Sequence, residues 1–323
     1  MFCLKKIYLF VFLCALVTVA SCHKDVEEFR PYVPTQEDLD PLLHQVPDAL
    51  SSTAFLFGGS IPDTTLTTSN GVRVFLADTE QLFADETGAT VPCSTCPSLK
   101  IEVTTVLRKG DIIARGISTS RYPDARMLES AGVVEIKASC NGKALQLLPG
   151  RYLKVQIPAD NVSPGMEIFT GKIDPVDGWQ GWTAIGTQAF WAEWPLVNPP
   201  GLQSGYELIV PALGWSNCAR PVIEQSSPFC VTLPDQFTAL NARVFLVFKN
   251  TRAVAELKGD DATSTFCFPE APLGYPVNVV VLGKTGGQLW LVSNFTEIGS
   301  NVQMPLTPQP QEEQQVVNFL KNL

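Results

Sequence analysis

Residues 100–107 read Lys-Ile-Glu-Val-Thr-Thr-Val-Leu, with Ile101, Val103, Thr105 and Leu107 on one side. A chain whose apolar residues recur at every second position buries them by lying in a sheet, because alternate strand side chains point to opposite faces. The same period runs through residues 71–76. It recurs at Val134, Ile136 and Ala138, and at Leu153, Val155 and Ile157. Turn residues separate the runs at Asn70-Gly71, Asn141-Gly142 and Pro149-Gly150. Asn141-Gly142, between two apolar runs, predicts a hairpin.

The second half repeats the style at residues 206–213, 243–248, 277–282 and 288–292. The one helical stripe of useful length lies in residues 311–323, where Val316, Val317, Phe319, Leu320 and Leu323 share a face. Many short strands with few helices predict an all-β fold, with two β-sandwich domains in tandem and a short C-terminal helix. No repeat occurs at a fixed solenoid period.

The first residues read as an export leader. Lys5 and Lys6 precede an apolar core at 7–17, which is too short for a comfortable membrane span. The core ends in Val19-Ala20-Ser21-Cys22. Small residues before a cysteine resemble the bacterial lipoprotein box, which implies acylation of Cys22 after cleavage; an ordinary signal peptide or an uncleaved anchor is the alternative. The charged run His23-Lys24-Asp25-Val26-Glu27-Glu28 resembles signals that route Bacteroidetes lipoproteins to the outer surface, and equally suits a solvated tether. Pro31, Pro34, Pro41 and Pro47 then predict an extended spacer, with at most a short helix around 36–43. The expected division is therefore a signal peptide (1–21), a tether (22–50), a first sandwich (51–167), a Trp/Pro-rich connector (168–204), a second, immunoglobulin-like sandwich (205–308) and a C-terminal helix (309–323).

Charge and cysteines agree with export. The chain carries a net charge of −9, and the leader contributes two lysines and no acid, so the remainder is more acidic still. That balance argues against a nucleic-acid partner. Beyond the leader and Cys22 six cysteines remain: Cys93, Cys96, Cys140, Cys218, Cys230 and Cys267. In an oxidising compartment an even count permits three bridges. Cys218 with Cys230 is the preferred pair, and Cys93-Ser94-Thr95-Cys96 reads as a local bridge pinning a loop, rather than as a redox motif or half a zinc site.

Catalytic chemistry finds little support. The only histidines are His23, beside the proposed lipid, and His44 in the spacer. Triad catalysis needs an imidazole held by a rigid scaffold, and neither G-x-S-x-G nor H-E-x-x-H occurs. Residues 278–287, Asn-Val-Val-Val-Leu-Gly-Lys-Thr-Gly-Gly, end like a phosphate loop but lack its first glycine, and read better as a hairpin turn. Asp260-Asp261 and Asp174 with Asp177 are carboxylate pairs without a calcium-loop pattern. Asp63-Thr64-Thr65 resembles a glycosylation acceptor used by Bacteroidetes. No cofactor is implied.

Residues 178–194 hold Trp179, Trp182, Trp191 and Trp194, four of the six tryptophans, with Phe190 beside them. An indole offers an apolar face and a polar edge, suited to stacking on sugar rings or anchoring a protein. The alternative is that these rings fill the seam between domains.

Several segments resemble a group of Bacteroidetes lipoproteins: "TTLTTSNGVRVFL", "LKIEVTTVLRKGDIIARGISTS", "LESAGVVEIKASCNGK", "MEIFTGKID" and "LIVPALGWSNCARP". The likeness spans most of residues 64–320. The first block also resembles the ankyrin-type spectrin-binding sandwich module. The resemblance implies a second, immunoglobulin-like domain and an envelope location, and brings no catalytic residues. The expected function is a non-enzymatic, outer-membrane-anchored lipoprotein, surface-exposed in one reading, that acts as a binding or assembly component of the envelope. Its expected partners are the membrane, reached through the lipid, and envelope proteins or glycans. The alternative is a surface glycan-binding protein using residues 179–194.

Overall fold

The computed structural model describes residues 36–47, 51–176, 178–197, 200–259 and 262–323. The leader and Cys22 lie outside these, as do Asp177 and the Asp260-Asp261 pair. The chain is all-β, built from sheets with, among the described residues, three short α-helices. Among the described residues no helix is long and apolar enough to cross a membrane.

The strands are β1 (Ser52–Phe57), β2 (Thr64–Thr67), β3 (Arg73–Leu76), β4 (Phe83–Ala84), β5 (Leu99–Val106), β6 (Leu128–Cys140), β7 (Lys143–Ala144), β8 (Gln146–Leu147), β9 (Leu153–Pro158), β10 (Glu167–Asp174) and β11 (Gly178–Gln188). They continue as β12 (Phe190–Val197), β13 (Pro200–Val210), β14 (Gly214–Pro221), β15 (Ser226–Thr232), β16 (Ala242–Phe248), β17 (Val254–Gly259) and β18 (Thr265–Pro272). The last four are β19 (Pro276–Thr285), β20 (Gln288–Glu297), β21 (Val302–Pro305) and β22 (Gln309–Gln311). The helices are α1 (Asp40–Leu43), α2 (Lys109–Arg115) and α3 (Glu313–Lys321).

One seven-stranded sheet runs β1-β5-β6-β14-β10-β11, with β7 added on β6, and a second runs β12-β13-β9-β3-β2. Their facing sides close a core in which Ile101, Val134 and Ile136 meet Val74, Val155, Ile157 and Leu208. The predicted hairpin is present: Cys140 pairs with Lys143 across Asn141 and Gly142, both at positive φ.

The eight-stranded sheet β21-β15-β18-β17-β16-β19-β20-β22 encloses its own core, in which Phe229 and Phe266 meet Val244, Leu246 and Val281. Strand β16 is buried on both faces. Val244, Leu246 and Phe248 point into that core, while Phe245 and Val247 point the other way. This is why its sequence reads as a near-continuous apolar run.

A third cluster forms the seam between the two sheet systems. The outer face of the seven-stranded sheet contributes Val133, Phe169 and Trp182, and the eight-stranded sheet contributes Phe245, Val280 and Leu282. All three helices fill it, through Leu42 and Leu43 of α1, Ile112 and Ile113 of α2, and Val316, Val317 and Leu320 of α3.

Two expectations change here. Residues 168–204 are not a connector: they supply β10, β11 and β12, three strands of the first sheet pair. Proline is compatible with this because β12 is an edge strand, where a missing N–H costs no ladder bond. Residues 36–47, expected as extended tether, are docked on the body, because Leu39, Leu42, Leu43 and Val46 fall on one helical side and bury into the seam. The Glu37 carboxylate also accepts the Gly287 N–H at 3.2 Å and the Gly286 N–H, so the tempting glycine turn at 286–287 is a β19–β20 hairpin already holding an anion. The C-terminal helix is in place as expected, and it packs centrally in the seam.

The disulfides also differ from expectation. Cys96 bridges Cys140, and Cys230 bridges Cys267, while Cys93 and Cys218 are free and buried. Cys230 and Cys267 stand directly opposite on β15 and β18. Cys218 belongs to β14 and packs in the core of the first sheet pair, away from Cys230. Cys93 opens a short 3₁₀ turn, and the extended backbone at Cys96 carries its sulfur to the end of β6 instead. Burial, reinforced by Glu80, pushes the Cys93 thiol up to about 11, so it stays protonated and inert at neutral pH.

Candidate functional site

The four tryptophans separate into two pairs on different sheets. Trp179 and Trp182 lie on β11 of the seven-stranded sheet, and Trp191 and Trp194 lie on β12 of the five-stranded one. Trp182 is fully buried in the seam, and its indole N–H donates to the Ser118 carbonyl at 2.9 Å. Trp194 is buried too, its ring over Gly205, where any Cβ would come within 2.7 Å of it. Trp191 is 36% exposed and stands edge-on to Tyr206, with centroids 5.2 Å apart. Trp179 is half-buried and packs edge-on against Trp182 at 4.8 Å. Trp182 therefore fills the seam, whereas Trp179 opens onto a groove.

That groove has a volume of about 600 Å³. Its floor pairs Trp179 with Trp215 of β14, a residue the tryptophan-rich stretch gave no reason to include. Gly171 of β10 makes the arrangement possible. A Cβ there would stand 2.8 Å from the Trp179 ring and 2.8 Å from the Trp215 Cβ, so only glycine lets the indole lie across the sheet. One wall is the end of α2, with Ala114, Arg115 and Gly116; another is α1, with Asp40 and His44; Arg243 of β16 closes the third side.

Local sequence explains the placement of the two guanidiniums. Gly116 adopts the left-handed conformation (φ 62°) that caps α2, and its N–H donates to the Ile113 carbonyl at 3.1 Å. Arg115 thus occupies the last helical turn, where the dipole favours a cation. A Cβ on Gly116 would stand 3.2 Å from an Arg243 terminal nitrogen, so the small residue also admits that side chain.

The two arginines differ in their partners. Arg243 makes a two-point contact with Glu256, at 2.8 and 3.1 Å, and this carboxylate outweighs burial to hold its pKa above the usual value. Arg115 donates to the Ser51 hydroxyl at 3.2 Å, its Nε is buried without a hydrogen-bond partner, and burial lowers its pKa. The indole N–H of Trp179 is likewise buried and unpartnered.

Among the described residues, the remaining candidates gather into no second site. Asp174 accepts the Val176 N–H at 2.8 Å, and among the described residues no group of three or more His, Cys, Asp or Glu is arranged to hold a metal ion. His44 is exposed at the groove's edge. The chain matches no protein-family model, no curated protein and no solved structure.

Proposed function

We propose that this protein is a non-enzymatic lipoprotein, anchored in the outer membrane through Cys22, whose folded body binds glycans. The reading narrows the aromatic platform from residues 179–194 to Trp179 with Trp215. The observation that carries it is a groove floored by two half-buried indoles and walled by guanidiniums. A flat apolar face beside fixed hydrogen-bond donors is the combination that holds a sugar ring, whose C–H face packs on the indole while its hydroxyls take the polar wall. The leader, the small residues before Cys22 and the resemblance to Bacteroidetes lipoproteins support the anchor; the acidic charge of the chain speaks against nucleic acid as partner.

The test is a glycan array probed with the mature chain and two variants. Trp179→Ala is expected to abolish the signal, while Trp191→Ala, on the other sheet, leaves it intact. Equal signals from wild type and Trp179→Ala would remove the groove from the reading. Separately, palmitate incorporation is expected in the wild type and lost in Cys22→Ala, with the protein released from membranes; retention after that substitution would overturn the anchor.

A further inference from the structure

We propose that the groove selects acidic saccharides, with a sugar ring on Trp179 and its carboxylate paired to Arg115. This rests on the glycan-binding reading and specifies the class of sugar. The argument is one of charge placement along the seam. Among the described residues, the other cations here each have a partner. Arg108 is paired with Asp111 at 2.9 and 2.8 Å, Arg243 with Glu256, and Lys109 donates to the carbonyls of Phe248 and Lys249. Arg252, in a separate polar cleft, donates to the Ala131 carbonyl.

Among the described residues, Arg115 has no carboxylate within ion-pair distance. The two acids that act on it from further off, Asp111 and Glu135, are engaged by Arg108 and by Lys137 at 2.9 Å. Asp40, which also lines the groove, acts on Arg243. Half-burying a guanidinium against, among the described residues, only a serine hydroxyl is costly, and a ligand carboxylate would relieve that cost. Guanidinium suits this role because its planar fork matches a carboxylate at two points. The neighbouring indole adds a surface for the sugar ring attached to that carboxylate, which a simple inorganic anion would leave unused. Donors dominate this wall, so an acceptor-rich ligand is the complement.

The experiment titrates the full mature chain with an oligogalacturonate trimer, once as the free acid and once as its methyl ester, following indole fluorescence or heat. The ring is the same in both probes, and esterification replaces the charged carboxylate with a neutral methoxycarbonyl group. The free acid is expected to bind at least tenfold more tightly, equivalent to about 1.4 kcal/mol. That ratio is expected to collapse towards one in Arg115→Gln, and to shrink for the wild type in high salt. Equal affinity for acid and ester would overturn acidic selection while leaving glycan binding in place. A ratio unchanged in a folded Arg115→Gln would overturn the role of Arg115. Absence of binding by either form, together with a blank glycan array, would overturn the glycan reading itself.

Discussion

Gly110 lies inside α2, where alanine ordinarily stabilises a helix by up to about 1 kcal/mol over glycine. In this fold Gly110→Ala is expected to do the opposite. A Cβ at position 110 would collide with the carbonyl oxygen of Leu320 and stand 2.8 Å from its carbonyl carbon. The obstacle is the backbone of α3, so no rotamer change relieves it. Helix α3 must shift, and with it Val316, Val317 and Leu320, all buried in the seam. At about 1.5–3 kcal/mol for each fully buried side chain, complete undocking would cost roughly 5–9 kcal/mol. A partial shift belongs to the overpacking range of about 1–3 kcal/mol. Set against the propensity gain, the expected net loss is about 1–2 kcal/mol. Guanidinium denaturation reads the stability, and hydrogen exchange of residues 313–321 reads the docking, with faster exchange confined to α3 and its contacts. A midpoint equal to or above wild type, with unchanged exchange in α3, would refute the close approach of the two helices.

Two further outcomes test the core. Cys140→Ser opens a bridge spanning 44 residues, for which chain entropy gives about 4 kcal/mol of lost stability; peptide mapping of the wild type should recover Cys96–Cys140 and Cys230–Cys267, with free thiols at Cys93 and Cys218. Trp182→Ala should cost about 3–5 kcal/mol, because it leaves a cavity in the seam and removes the donor to the Ser118 carbonyl; a loss under about 1 kcal/mol in thermal denaturation would refute its seam role.

Legibility of the fold followed the range of the interactions concerned. The alternating run at 100–107 became β5, and the apolar stripe at 311–323 became α3. Both are signals carried by neighbouring residues. The tryptophan stretch misled because its spacing says nothing about sheet membership: Trp182 and Trp191 are only nine positions apart, yet β11 and β12 lie in different sheets. The same limit hid the groove. Its walls come from Asp40, Arg115, Trp179, Trp215 and Arg243, which no local pattern links. Prolines near 195–200 suggested a connector because proline usually ends a central strand, but Pro195 lies on edge strand β12 and Pro200 is the first residue of β13, both places that tolerate it.

The amino-acid order alone determined strands with clear alternation, such as β5 and β9, and the hairpin at Asn141-Gly142, since side-chain alternation and the φ values open to glycine and asparagine are properties of a few adjacent residues. Tertiary structure decided which cysteines meet, which indoles are hidden and which arginines stand beside the groove. Those outcomes depend on strands and helices far apart in the chain packing against one another, and on the steric room that Gly110, Gly171 and Gly116 leave between them.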